Sequence, residues 1–312
     1  MTIYTDNVRF AQGLFKDVRD WKELRLGSLP SPLRPYLEAL TPKTAVQCSK
    51  VSEPGSWGHA VLIESADGSQ FDALNRVARR YDAPPEGLVC VAGTGTKFHG
   101  FKDRPWEIAS GNLHLSVLTG PRTTIDHVGV AFIVLAVVSV LQTLDDVAEL
   151  PQEATVKWVN DIMIEGAKIG GVLANCQIQD DIVTHATLGI GLNVEKAPPV
   201  SPTPSVPTVG SLHQFSPNPR RCTLEVVFQK LITYLGANYA SLMAGGYQHL
   251  LDVYRSRSLV LAQRVRLHRD SVDGRPGATI EGVVQSIGED LELFLDQRSS
   301  PVTEGRLELL TR

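Results

Sequence analysis

Apolar positions along this chain fall into two rhythms. A period near two, rich in β-branched residues, predicts strands over residues 59–65 (HAVLIES), 87–92 (GLVCVA) and 112–118 (NLHLSVL). A period near 3.6 predicts a helix over 71–81. There Phe71, Leu74, Val77 and Ala78 share one face, Arg79 and Arg80 sit near the C-terminal end, and Pro84 and Pro85 stop it. Residues 128–141 (VGVAFIVLAVVSVL) are apolar all round and predict a helix buried on nearly every side, with Thr124 as its N-cap. These 14 residues fall short of the ~18 to 20 that a membrane span requires, and Asp126, His127, Gln142, Asp145 and Asp146 flank them.

A dense β region follows, with strands predicted at 154–159, 161–164, 168–178 and 182–194. Residues 197–221 are rich in Pro and Ser and read as a surface loop; 224–243 and 247–254 read as helices. From Ser258 the signal is β throughout (VRLHR, ATIEGVVQSI, LELFLD, GRLELL), broken by D-G, G-E-D and S-S-P turns, which predicts a small barrel-like appendage. Residues 1–56 carry Pro30, Pro32 and Pro35 and no clear periodicity. They read as an extension packed on the main domain, without the basic recognition helix of a DNA-binding helix-turn-helix. The pattern predicts an α+β protein with a mixed, largely antiparallel sheet. It divides into an extension (1–56), a main domain (57–256) and a C-terminal β domain (257–312).

Composition narrows the class. The 312 residues are 43% hydrophobic and 21% charged, enough for one large core and a smaller domain. A net charge of −4 argues against non-specific nucleic-acid binding, while leaving room for a local anion pocket. The four cysteines (48, 90, 176, 222) have no metal-ligand spacing and read as small buried hydrophobes, which fits a reducing, cytoplasmic compartment. The N-terminus lacks a basic segment followed by an apolar one, so no secretory signal is expected.

The stretch richest in chemistry is Lys157-Trp158-Val159-Asn160-Asp161, followed by Lys168-Ile169-Gly170-Gly171-Val172-Leu173. Lysines supply compact cations for phosphoryl oxygens, an aspartate can hold Mg²⁺, and glycines let backbone N–H groups approach a ligand. Composition alone favours a plainer reading, an ordinary hairpin with solvated lysines. The G-T-G-T run at 93–96 lacks the G-x-G-x-x-G spacing of a dinucleotide loop. Trp158 reads as core, Trp106 as packing the base of a loop, and His114 as the polar face of a strand; His127 and His185 have no visible partner.

K-W-x-N-D, then K-x-G-G-x-L, then G-I-G-L-N-V at 189–194, at these spacings, resembles the biotin–protein ligases over about residues 60–312. The resemblance implies the class II synthetase-like biotin/lipoate ligase fold with an SH3-like C-terminal domain. It also implies ATP, Mg²⁺ and biotin as reactants, a biotinyl-5′-AMP intermediate and a carrier-protein lysine as acceptor. It implies Lys168 as catalytic lysine, Asp161 as catalytic and metal-associated, and Asn112, Lys157, Asn160 and Asn193 on the nucleotide side. Ser69 and Gln70 would border the substrate at a helix start, Gly171 would lie against it, and 83–87 (A-P-P-E-G) is also family-like. A homodimer is left open; neither nucleic acid nor membrane is an expected partner.

The ligand loop departs from the family's G-R-G-R-x-G-R. Here residues 98–104 read Phe-His-Gly-Phe-Lys-Asp-Arg, so that Gly100 and Arg104 agree, while His99 and Phe101 replace arginines. Gly95, with Thr96 beside it, stands for the glutamine expected on the biotin ring. A phenyl ring cannot replace an Arg–phosphate bond worth roughly 1.5 to 3 kcal/mol; Lys97, Lys102 and Arg104 would bring charge from other positions, and Trp106 closes the loop. Three readings follow: a divergent biotin ligase whose loop orders over the adenylate, a sibling acting on lipoate, octanoate or another acid, or a ligand-binding homologue without transfer activity. The C-terminal β domain and the absence of a cysteine motif favour the first.

Overall fold

The computed structural model describes residues 1–310 other than 31, 52–56, 82, 83, 86 and 270–277. Positions 83 and 86 of the A-P-P-E-G run and the D-G turn at 273–274 therefore lie outside the described residues.

Residues 1–50 contribute β1 (Thr2–Thr5), α1 (Val8–Gln12), β2 (Lys22–Arg25), α2 (Arg34–Leu40) and β3 (Ala45–Lys50). The main chain continues through β4 (His59–Ala66), α3 (Gln70–Ala78), β5 (Leu88–Gly95), β6 (Leu113–Thr119) and α4 (Val128–Val147). Then come β7 (Thr155–Lys157), β8 (Asp161–Ile164), β9 (Ala167–Gln179), β10 (Ile182–Leu192), a short α5 (Leu212–Phe215), α6 (Leu224–Met243) and α7 (Tyr247–Ser256). The C-terminal strands are β11 (Arg264–His268), β12 (Thr279–Ile287), β13 (Leu293–Leu295) and β14 (Arg306–Leu309).

Ten strands form one sheet in the order β2-β3-β1-β4-β5-β6-β10-β9-β8-β7. It is parallel across β1, β4 and β5 and antiparallel elsewhere, a mixed and largely antiparallel sheet as the sequence predicts. Side-chain alternation divides its core in two. Ala60, Leu62, Val89, Val91, Leu113, Leu115 and Val117 face a layer containing α4, α6 and α7. Val61, Ile63, Leu88, Cys90 and Ala92 face the other way, toward α2 and α3.

The segment read as an extension enters the sheet itself. β1 pairs with β4, so Ile3 joins one core layer and Tyr4 the other. Four-residue strands are too short to display a period, which is why the pattern does not announce them. Helix α4 spans 20 residues, longer than the apolar run suggests, and by length and composition could cross a membrane. Two-thirds of its most apolar window is buried in this fold, as expected of a core helix. Its N-cap is His127, in a left-handed conformation with no side-chain capping bond, rather than Thr124.

The C-terminal strands make a separate four-stranded antiparallel sheet, β13-β12-β11-β14. It is fixed to the turn between β7 and β8, because the Trp158 indole donates to the Leu291 carbonyl at 2.6 Å. On the same turn the Tyr254 hydroxyl of α7 donates to the Val159 carbonyl at 2.8 Å. Trp158 is thus core, as expected, although it lies on the turn after β7 and not on a strand, and its polar tip joins the two sheets.

Candidate active site

Helix α3 covers only part of its face of the sheet, and the uncovered part is a cleft. Strand register sets out its floor in rows: His114 opposes Gly191, Gly191 opposes Gly171, and Gly171 opposes Asp161. The next row runs Ser116, Gly189, Leu173. Glycines in the middle of each row make the depression. A Cβ on Gly191 would stand 2.5 Å from the Trp106 ring, and one on Gly189 would stand 3.1 Å from Phe71 of α3. The two aromatic rings rest on bare backbone and wall a cavity of about 100 Å³. That volume is below the ~300 Å³ at which ordinary ligand pockets begin, so the roof must shift to admit a substrate.

The charged corner of the cleft gathers around one carboxylate. Lys168 Nζ lies 2.6 Å from Asp161 Oδ1 and 5.7 Å from the centre of the Trp106 ring. Lys157 Nζ is 4.0 Å from Asp161 Oδ2 and donates to the Ser205 carbonyl. Burial lowers the Lys157 pKa from its ordinary value; Asp161 raises it, and Lys168 and Arg104 lower it further. Two lysines thus meet one carboxylate, with Arg104 close enough to act on Lys157, leaving a positive excess that suits an anionic ligand.

The roof is a folded hairpin. Gly100 N donates to Arg104 O at 2.6 Å, Trp106 N donates to Phe98 O at 3.0 Å, and His99 bridges to Pro105. Lys97 and Lys102 hold positive φ values of 59° and 56°, a conformation that costs a side-chain-bearing residue energy. His99 Nε2 meets Asp72 of α3 at 2.9 Å and Nδ1 meets the Gly100 carbonyl at 3.1 Å, which ties the loop to the helix. The loop is folded over the cleft.

Several polar groups in the cleft are buried without a partner: Arg104 Nε, Trp106 Nε1 and His114 Nδ1. Burial pushes the His114 imidazole down to about 4, against a 3.4 Å contact with the Ala109 carbonyl that raises it. A neutral ring here can donate or accept a hydrogen bond, and an apolar ligand would leave it unsatisfied.

Of the residues singled out in the sequence, Ser69, His99, Gly100, Phe101, Arg104, Trp106, Asn160, Asp161, Lys168 and Gly171 line this cleft together. Lys102 lines an outer groove instead. Gly95 is pinned against Ala66 and Phe98, and the Thr96 hydroxyl donates to the Asp67 carbonyl outside the cleft. Gln70 is buried with both amide atoms unpartnered, and it too stays outside the cleft lining.

Asn112 and Asn193 bond to the chain that follows β10. The Asn112 carbonyl accepts from the backbone of Val194, Glu195 and Lys196, and its amide donates to the Lys196 carbonyl. Asn193 donates to the Gly210 carbonyl. Both side chains shape the chain after β10. The residues the sequence reading missed are His114, Ser116, Phe71, Phe98 and Gly189. Their signal was present: alternation in NLHLSVL marks His114 and Ser116 as sharing a face, and that face is the cleft floor rather than solvent.

The model of the Biotin/lipoate A/B protein ligase family matches residues 69–193, the segment that supplies the cleft. Over this segment the chain is similar to that family. It is 27% identical over 268 residues to a biotin–[acetyl-CoA-carboxylase] ligase of Mycobacterium tuberculosis, covering 85% of this chain and 91% of that protein. It is also 27% identical over 183 residues to the bifunctional ligase/repressor BirA of Bacillus subtilis, covering 58% of this chain and only 55% of that one. Its fold matches that of the biotin protein ligase from Aquifex aeolicus in complex with biotin and ATP. The TM-score is 0.61 at 19% identity, over 82% of this chain and 100% of that one.

Proposed function

We propose that this chain is a biotin–protein ligase, which joins biotin to AMP and then passes the acyl group to a lysine of a carrier protein. The observation that carries the reading is the pair Lys157 and Lys168 on Asp161, with Arg104 acting on Lys157, at the charged end of a glycine-floored cleft. Such a corner holds a carboxylate beside phosphates, two anions that repel each other in water.

In the first step a carboxylate oxygen of the acid attacks the α-phosphorus of ATP, and the bond to pyrophosphate breaks. Lys168 balances charge building on the phosphoryl oxygens, with its ammonium held by Asp161 and the Trp106 face. Mg²⁺ fits as a nucleotide-borne ion rather than a resident one. Among the described residues no three acidic, His or Cys side chains cluster to hold a metal, and Asp161 is the carboxylate lining the cleft. Asp161 would hold it together with phosphate oxygens, and the ion would add charge neutralisation. In the second step the acceptor lysine attacks the acyl carbon and the bond to AMP breaks. The hairpin 98–106 keeps water from the mixed anhydride.

The exposed Phe101 in the roof supports the sibling reading, an acid with a greasier tail such as lipoate or octanoate. The unpartnered polar atoms of His114, Trp106 and Arg104 weigh against it, since an aliphatic chain would leave each buried and unsatisfied. Residues 257–312 take the part of the family's SH3-like domain in this reading, and two copies forming a dimer would be compatible with it.

Isothermal titration with biotin, alone and with ATP·Mg²⁺, tests the proposal, with lipoate and octanoate in parallel. Biotin binding that tightens sharply with ATP is expected. A response to another acid alone would move the assignment to the sibling chemistry, and silence for all would leave a homologue without this activity.

A further inference from the structure

Outside the roof of the cleft lies a second, larger hollow of about 640 Å³. Phe71, His99, Gly100, Phe101 and Leu173 line both cavities, so anything reaching the cleft from this side crosses the hollow. One wall is the outer face of α3. Arg76 in the last turn of α3, Arg79 at its C-cap and Arg80 just beyond gather at the C-terminal end of the helix. The opposing wall carries Lys102, and Asn75 and Asn175 bridge the base through a 3.2 Å hydrogen bond. Asp72, the acidic side chain in the lining, is engaged by His99.

Surface arginines are usually solvated singly or paired with acids. Here three like charges cluster at one helix end in the lining of the hollow, and no ion pair or side-chain hydrogen bond is made by any of them among the described residues. The helix dipole favours cations at a C-terminal end, which accounts for one or two of them there but not for three crowded without partners into the lining of one hollow. The chain as a whole is acidic, at net −4, which makes a concentrated basic wall a local feature rather than a sample of the surface.

We infer that this hollow is the docking groove of the acceptor protein, and that it takes an acidic face of that partner. The inference rests on the proposed ligase activity and adds the surface and charge of the partner to it. Position and charge both support this occupant. The acceptor amine must enter the cleft from outside, the hollow shares the roof residues that would open for it, and a basic cluster steers and registers an acidic surface.

The test separates the two half-reactions, using the full-length protein and the purified carrier domain of a biotin-dependent acetyl-CoA carboxylase as acceptor. Biotin-dependent pyrophosphate exchange reads adenylation, and single-turnover transfer from preformed adenylate reads docking. The triple variant R76E/R79E/R80E should keep exchange within twofold of the unmodified protein. Its KM for the acceptor should rise at least tenfold with little change in kcat, and the unmodified protein should lose acceptor affinity steeply as salt is raised. R76Q/R79Q/R80Q should show a smaller loss of the same kind, which distinguishes charge from misfolding. An unchanged acceptor KM in both variants would overturn the inference, and so would a rise in the KM for ATP instead, which would give the arginines to the nucleotide. Absence of exchange in the unmodified protein would refute the ligase reading itself, a result distinguishable from either.

Discussion

Strands β6 to β10 and the hairpin 98–106 build facing walls of one cleft by opposite means. On the strand wall each functional residue occupies a position fixed by register: Lys157, Asp161, Gly171, Gly191 and His114 follow one another across five strands. Changing one of them disturbs a ladder shared with its neighbours. On the hairpin wall two short backbone bonds and a His99–Asp72 contact hold the shape, while the tips of Phe101 and Lys102 are free to differ. The strand wall carries the charged groups of the K-W-x-N-D and K-x-G-G-x-L motifs, and the hairpin carries His99 and Phe101 where the resemblance implies arginines. In the proposed reaction, chemistry at the phosphate is tied to the sheet, and the side chains closing over the acid are carried where substitution costs the fold least.

The largest break in this comparison comes from the strand wall. Lys168→Ala should lower the rate of adenylation by at least about 10³-fold, about 4 kcal/mol of transition-state stabilisation, with the circular dichroism spectrum unchanged. Pyrophosphate exchange measures it; retained exchange would remove Lys168 from the chemistry.

His114 gives the next largest effect, and it depends on pH. Its folded pKa of about 4 lies below the ordinary 6.5. Above pH 6.5 the imidazole is neutral in both states and contributes no pH dependence. As pH falls below 6.5 the unfolded chain binds a proton that the folded one refuses, so stability is lost progressively down to about pH 4. The loss is on the order of 3 kcal/mol at full development. Urea unfolding at a series of pH values should show a shallower acid loss in His114→Gln than in the unmodified protein. Parallel curves would mean that the ring is protonated in the fold.

Gly191→Val comes third, because it joins the two walls. A Cβ there would stand 2.5 Å from the Trp106 ring, so the ring must leave the backbone it rests on. Stability should fall by about 1 to 3 kcal/mol, and biotin affinity should weaken at least tenfold in titration. An unchanged affinity would show that the Trp106 ring does not shape the acid site.

The same contrast explains what the sequence made legible. Strands β4 to β6 and β8 to β10 were readable because they are long or lie beside turn-forming residues, and Lys168 and Asp161 were found because their spacing carries the family pattern. The strands of residues 1–50 were not readable. Their runs are four to six residues, polar at the sheet edge in Lys22–Arg25, and their place depends on pairing with β4 across more than fifty residues. His114 was visible as an alternation but not as a site, because alternation reports which residues share a face and not what covers that face. The motif names Asn112 and Asn193 as residue types, whereas only coordinates show the bonds they make to the chain after β10.

The smallest expected effect sharpens the comparison most, because it asks whether the hairpin has lost a function or acquired another. Phe101 is 43% exposed, lines both the cleft and the outer groove, and has Lys102 Nζ 5.7 Å from its ring centre. Its surroundings are loose enough that Phe101→Arg removes little packing and adds one guanidinium above a phosphate-binding corner. If the site handles biotinyl-adenylate, that guanidinium should gain a charge-assisted hydrogen bond worth about 1.5 kcal/mol and slow release of the adenylate roughly tenfold. Dissociation of radiolabelled adenylate from the unmodified protein and from the variant reads this directly. Faster release, or loss of biotin binding, would mean that the phenyl ring packs on the acid and that the hairpin is adapted to its own ligand.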